Sequence, residues 1–167
     1  GMVCHQTYKD KNNNWLSPEE VHSEDGKNFV IKDKPNEEVL VGPSESMSKS
    51  KKNTVDPEKM IEAYGADAVR FFILSDSPPE KDVQWSDNGM ASSYKYIQKF
   101  WNLHLKIIEE IKKDHVKNED DQLTKFTNQF IKKTTNFLES FGFNKIIANF
   151  HELFSFLTNE MKKNYKK

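Results

Sequence analysis

From Met90 to Met161, apolar residues recur at spacings of three and four, interrupted only at Asp114–Asp121 and at Gly142. That period gathers apolar side chains into a stripe along an α-helix, and each stripe needs another surface to cover it. Met90, Tyr94, Ile97, Trp101, His104, Ile108 and Ile111 form the first stripe, widened by Phe100 and Ile107. It predicts a helix from about Ser86 to Lys113, with His104 packed in the core rather than serving as a ligand. Leu123, Phe126, Phe130, Thr134, Phe137 and Leu138 predict a second helix over Gln122 to Ser140, and the residues from Phe143 to Met161 predict a third. Nine of the 12 phenylalanines lie at Phe100 or beyond. Stacking on bases would need those rings exposed in a groove. Their core spacing instead favours an antiparallel helical bundle.

The first 45 residues are strand-and-turn material. Asn28–Lys32 and Glu38–Val41 are short β-branched runs separated by Asp33-Lys34-Pro35-Asn36, which predicts a β-hairpin entered through a turn at Glu24–Lys27. The expected fold is therefore mainly α, a small hairpin-containing N-terminal segment followed by the bundle.

Between the two lies Ser46-Met47-Ser48-Lys49-Ser50-Lys51-Lys52-Asn53. Small residues let a backbone approach a polyphosphate closely, hydroxyls and N–H groups can donate to its oxygens, and Lys49 offers a point charge on a flexible stem. Asp56 is a good N-cap, Pro57 suits the first helical position, and the start of that helix adds a weak positive end. The helix should run to Tyr64 and stop at Gly65 in a left-handed conformation, with a second short helix from Asp67 to Leu74 ended by Ser77-Pro78-Pro79. Arg70 reads as an ion-pair anchor within this pair of helices rather than a ligand contact. An isolated Lys/Ser run is more often a solvated loop than a site. The following Tyr64-Gly65-Ala66-Asp67-Ala68-Val69-Arg70 gives this one its weight.

Together these segments resemble the KMSKS signature loop of class I aminoacyl-tRNA synthetases and the helical segment after it. Ser75-Asp76-Ser77-Pro78-Pro79-Glu80-Lys81-Asp82-Val83-Gln84-Trp85-Ser86-Asp87 looks like the leucyl-tRNA synthetase family in particular. Gly1-Met2-Val3, Thr7-Tyr8-Lys9-Asp10 and Trp15-Leu16-Ser17-Pro18-Glu19-Glu20-Val21 also resemble the segment that precedes the loop in bacterial-type members. The likeness is dense to about residue 101 and rests on helical character beyond. One position departs: Ser46 stands where the motif has its first lysine, while the second is kept as Lys49.

The resemblance implies residues 1–85 as the end of a class I catalytic domain and 86–167 as an incomplete helical anticodon-binding domain. It implies leucyl-adenylate formation from leucine and ATP with Mg2+, followed by transfer of the acyl group to tRNA. Lys49 would stabilise the departing phosphates, with Met47, Ser48 and Ser50 completing the ATP-binding loop. Lys51 and Lys52, and Lys95 and Lys99 four residues apart on one helical face, are candidates for tRNA contact. Asp56, Pro57, Gly65 and Arg70 would be structural. No HIGH-type motif is present, so the chain reads as a fragment that lacks that half of the site and is expected to be inactive alone, with no ligand bound by itself. A cytoplasmic setting is the family's. An uncovered helical face would favour self-association.

The bulk properties set bounds. The chain has 167 residues, a net charge of -1 and a pI near 6.6, so a nucleic-acid partner has to be met by local patches. From Lys106 onward there are 12 lysines against 9 acidic residues. Cys4 is the single cysteine, which excludes an internal disulfide. No apolar run spans a bilayer and no signal-peptide pattern is present. Two other readings of the same residues are a free-standing, non-catalytic tRNA-binding module and a helical interaction protein. Within the enzyme class, isoleucyl-, valyl- and methionyl-tRNA synthetases share the loop.

Overall fold

The computed structural model describes residues 1–113 and 121–164. The expected break at Asp114–Asp121 lies, save its last residue, outside them. Two compact units are present: Gly1–Ala63 with Glu80–Gly89, and Tyr64–Pro79 with Met90–Lys167.

The first unit is built on strand β1 (Val3–Lys9), which pairs on both edges. Strand β6 (Leu40–Ser46) runs antiparallel along one edge. On the other edge β2 (Trp15–Leu16) pairs antiparallel near Tyr8 and Lys9, and β7 (Val83–Gln84) pairs parallel at Val3 and Cys4. A second sheet has the order β3 (Val21–His22), β4 (Val30–Ile31), β5 (Lys34–Glu38). Tyr8, Leu16 and Val39 form a buried cluster, with Val21, Phe29 and Ile31 packed against it. The turn before β4 is organised by Asp25, whose carboxylate accepts the Lys27 and Asn28 N–H groups at 2.8 Å each and the Asn28 amide at 2.7 Å. These donors hold the Asp25 pKa at about 2.

The hairpin exists with a different register from that expected. Its turn is at Lys32 and Asp33, and the expected turn residues Lys34, Pro35 and Asn36 are already in β5. Pro35 fits there because β5 is an edge strand. The run Glu38–Val41 is not one strand: Glu38 ends β5, Val39 is buried, and Leu40 begins β6 in the other sheet. Alternation alone could not reveal that change of sheet.

The helices are α1 (Pro57–Tyr64), α2 (Ala66–Ser75), α3 (Asp87–Ile111), α4 (Asp121–Glu139) and α5 (Phe143–Asn164). Asp56 caps α1 as expected, accepting the Glu58 N–H at 3.0 Å. Gly65 takes φ 81° with ψ 152°, a region open essentially to glycine but not the left-handed helical stop expected. The fold is mainly helical, as the periodicity predicts. In the second unit α4 and α5 are antiparallel: Phe126 stacks on Phe156 at 3.9 Å, Phe130 meets Phe150 at 5.4 Å, and Asn149 donates to Thr134 Oγ1 at 2.8 Å. Helix α3 joins α5 through Tyr96, whose hydroxyl donates to the Phe150 carbonyl at 2.9 Å, and Phe71 of α2 stacks on the Tyr96 ring at 4.9 Å. Burial pushes the Tyr96 phenol up to about 12.

The packed face of α3 overlaps the expected stripe in part: Ile97 and Ile108 are half-buried as expected, but the face is shifted toward Ser93, Tyr96 and Leu103. Met90, Ser93 and Leu103 are buried, with Tyr96, Phe100 and Ile107 partly so. Trp101 is 61% exposed and Ile111 74%. His104 is exposed and stacks on Trp101 at 6.1 Å, so it is not a core histidine. The helix carries two apolar faces, and α5 covers the one centred on Tyr96 and Phe100.

The α4–α5 connection ends α4 with a reciprocal pair of bonds. The Gly142 N–H donates to Phe137 O at 2.7 Å, and the Phe141 N–H to Leu138 O at 3.2 Å. The left-handed position of this motif, usually glycine, is Phe141 at φ 53°. Phe141→Gly is expected to stabilise the chain by about 0.5–1 kcal/mol, since the left-handed penalty for a side chain exceeds the added freedom of glycine when unfolded. Denaturant unfolding checks this; a loss of stability would mean that the Phe141 contact with Phe143 outweighs the backbone strain.

Candidate functional site

The Lys/Ser segment leaves β6 at Ser46 and closes into a single 3-10 turn over Lys49–Lys51. Ser48 precedes the turn in extended conformation, and Lys52 ends it left-handed at φ 54°. The Lys51 N–H donates to Ser48 O at 3.2 Å and the Lys52 N–H to Lys49 O at 3.3 Å. The Ser48 and Ser50 hydroxyls hydrogen-bond each other at 2.7 Å. The segment is thus a tight turn with tied ends.

Asn53 fixes them. It is 0% exposed, one of the largest fully buried side chains. Its Oδ1 accepts the Ser48 N–H at 2.8 Å, and its Nδ2 donates to His5 O and Glu45 O, each at 3.2 Å, with Ser46 O at 3.5 Å. One amide therefore ties the turn to β1 and β6 together. Met47 adds a backbone bond, its N–H donating to Val3 O at 3.2 Å, and its side chain is half-buried. Polarity alone marks Asn53 as loop material. No sequence signal marks it, since the left-handed Lys52 that precedes it is seen only in the structure.

The three lysines differ electrostatically. Lys51 forms an ion pair with Glu45, and Lys52 lies 3.7 Å from Glu20. Glu20 has its pKa lowered mainly by accepting the Ser17 N–H, with Lys52 adding to the effect. Lys49 is exposed, and among the described residues no carboxylate lies within ion-pair distance of its ammonium. Surface pairs such as these are worth at most about 1 kcal/mol, yet they decide which cation has a local counter-charge. The turn presents Lys49 without one, beside two hydroxyls.

The start of α1 already carries acidic groups of its own: Asp56 accepts the Glu58 N–H, and Glu58 lies in the first turn. Arg70 pairs with Asp67 at 3.1 Å inside α2, both side chains well exposed, so the pair anchors no second element. Lys95 and Lys99 are exposed on α3 in the second unit. The Ser75–Asp87 run forms β7 in its latter half: the Val83 N–H donates to Met2 O at 2.9 Å, the Trp85 N–H to Cys4 O at 2.7 Å, and Ser44 donates to Gln84. No helix of the described residues is long and apolar enough to cross a membrane.

A cation-bearing turn held on a small sheet fits a segment of a class I aminoacyl-tRNA synthetase, and the comparisons place the chain in that class. The family model described as tRNA synthetases class I (I, L, M and V) matches residues 36–86. The leucine-tRNA ligase of Rickettsia bellii is 44% identical over 163 residues, 98% of this chain and 19% of the relative. That of Zymomonas mobilis is 41% identical over 153 residues, 92% of this chain and 17% of the relative. A crystal structure described as a ternary complex of Agrobacterium radiobacter K84 LeuRS, tRNA and LeuAMS aligns with a TM-score of 0.62 at 24% identity, over 71% of this chain and 16% of that one, and shares its fold. The chain belongs to the leucine-tRNA ligase family, and spans about 19% of the length of the first of these relatives.

His5, whose carbonyl meets Asn53, lies buried beside the site, and burial lowers its pKa below 6.5, more than the Gln6 carbonyl and Asp87 raise it. The unfolded chain then binds more protons than the folded one as pH falls through 6.5, so this contribution is present above that pH and lost below it. Unfolding free energy should fall as the solution is acidified through this window. His5→Gln should flatten that slope in a pH series of denaturant melts, and an unchanged slope would exclude His5 as its source.

Proposed function

We propose that this chain supplies the ATP-phosphate turn and tRNA-contacting helices of a leucine-tRNA ligase. The observation that carries the reading is the unequal charge environment of the three lysines: Lys51 and Lys52 have carboxylate partners and exposed Lys49 has none among the described residues. In the reaction, the leucine carboxylate attacks the α-phosphate of ATP, the bond to the β-phosphate breaks, and pyrophosphate leaves as leucyl-adenylate forms. The acyl group then passes to a terminal ribose hydroxyl of tRNA as the bond between acyl carbon and phosphate oxygen breaks and AMP leaves. Negative charge accumulates on the leaving phosphates during the first step. An ammonium already lacking a counter-charge can meet it without first breaking a pair.

Lys49 is the group proposed to contact the leaving phosphates, with Ser48 and Ser50 donating their hydroxyls and Met47 packing toward the adenine side. Mg2+ arrives as part of the substrate, bound to the ATP phosphates. Lys51 and Lys52 hold the turn through Glu45 and Glu20, and tRNA contact by them would require giving up those pairs. Residues 1–85 are read as the end of the catalytic domain and 86–167 as tRNA-binding helices. The leucine pocket and the rest of the catalytic domain are taken to come from other parts of the ligase.

In a complete ligase carrying this segment, Lys49→Ala should lower ATP–pyrophosphate exchange by about 10²–10³-fold, the effect of removing one preorganised donor from developing charge. An unchanged exchange rate with normal thermal unfolding would refute the assignment. Lys95→Ala with Lys99→Ala should weaken tRNA binding at all tRNA sequences alike and reduce its dependence on log salt by about 2 if both contact phosphates. Filter binding across a salt series measures that slope, and an unaltered slope would remove both lysines from the interface.

A further inference from the structure

We propose that Asn53 is a positioning residue for Lys49, so that its buried amide sets the rate of the phosphate-transfer step through the turn it holds. This rests on the proposed role of Lys49.

Three features separate Asn53 from an ordinary buried polar residue. First, its amide uses both its donor and its acceptor on backbone groups from three separate places: Ser48 in the turn, Glu45 and Ser46 in β6, and His5 in β1. Second, Ser48, which Asn53 grips at 2.8 Å, immediately precedes Lys49, so the bond fixes the direction in which the 3-10 turn leaves the sheet. Third, Asn53 follows the left-handed Lys52 at the other end of the turn. The two ends of the segment are therefore clamped together across five residues. Between these tied ends the Lys49 backbone lies in the 3-10 turn, with its side chain exposed.

The chemistry requires asparagine at this place. Oδ1 has to accept from an N–H while Nδ2 donates to carbonyl oxygens, and only a carboxamide carries both functions at one branch point. Aspartate could accept from Ser48 but would turn an oxygen toward the His5 and Glu45 carbonyls and put a negative charge close to the lysine. Glutamine has the same groups one methylene further out, in a side-chain site with no exposed surface. Neither the charge on Lys49 nor the pairs of Lys51 and Lys52 would be removed by losing the clamp. What changes is where the ammonium stands when pyrophosphate departs, and a misplacement of about 1 Å can cost on the order of 10²-fold in rate.

The test is a double-mutant cycle on ATP–pyrophosphate exchange in the complete ligase, with Asn53→Ala, Lys49→Ala and the pair. Asn53→Ala should lower kcat by about 10–10²-fold with a smaller change in the KM for ATP. In the Lys49→Ala background the same substitution should cost less than about threefold, because the group it positions is gone. Equal costs in both backgrounds would overturn the proposal and leave Asn53 as a structural residue only. If Lys49→Ala alone has no effect, the reading of Lys49 fails first, a distinct outcome. Asn53→Ser, which keeps one hydroxyl to bond a single partner, is run alongside with thermal unfolding of each variant. If Asn53→Ala unfolds, Asn53→Ser carries the cycle, and additivity there is equally decisive against the proposal.

Discussion

Strand β1 is the rail on which the first unit is assembled, because among the described strands it alone pairs with three others. Its Tyr8 and Lys9 hold β2, its Val3 and Cys4 hold β7, and β6 runs along its other edge from Cys4 to Lys9. That demand accounts for details that look unrelated in sequence. Gly42 stands where a Cβ would come within 2.4 Å of the Thr7 hydroxyl, so any other residue there would force that buried hydroxyl to move. Thr7 then donates to the Pro43 carbonyl at 3.1 Å across the irregular register between Gln6 and Tyr8. Proline is tolerated in β6 because the strand lies at the sheet edge, where a missing N–H need not break a ladder. The His5 carbonyl, which meets Asn53, belongs to the same rail.

The site inherits its order from this arrangement rather than from its own composition. A Lys/Ser run has high conformational entropy and few apolar contacts, and left to itself it would sample many shapes. Here its two ends are tied to each other and to the sheet, leaving a turn of three residues to be specified locally. The carboxylates around it are unevenly placed, Glu45 on β6 and Glu20 just before β3, and each meets one of the two later lysines. The charge pattern of the turn is thus a consequence of strand order. It would not be visible in the net charge of the chain, which is -1.

What could be read from sequence follows the range of the forces involved. Asp56 was legible because capping is decided within two residues, and the helices because period 3.6 persists over many turns. The ends of α4 and α5 fall close to the expected ones for the same reason. The face of α3 that packs was legible only in part: Met90, Ile97, Phe100, Ile107 and Ile108 are packed as read, but Tyr94, Trp101 and His104 carry as apolar a pattern as Tyr96 and Leu103, and only the position of α5 chooses between them. The switch of sheets at Val39 failed for a similar reason, because it depends on β1, thirty residues earlier in the chain. In the candidate site, Lys49 was singled out by its resemblance to a motif. Asn53 was not, because its three kinds of partner are brought together only by the fold.

Ser46 shows how these levels combine. It ends β6 opposite Cys4, its carbonyl faces the Asn53 amide at 3.5 Å, and its side chain is exposed. A longer side chain at that position would project into solvent without disturbing the backbone contacts, so packing does not demand serine in place of the lysine found in the motif it resembles. The difference between the two is then one of charge. With serine here and with Lys51 and Lys52 already facing carboxylates, the positive potential of the turn comes chiefly from Lys49, and the geometry that holds Lys49 matters more than it would in a turn with a second free cation.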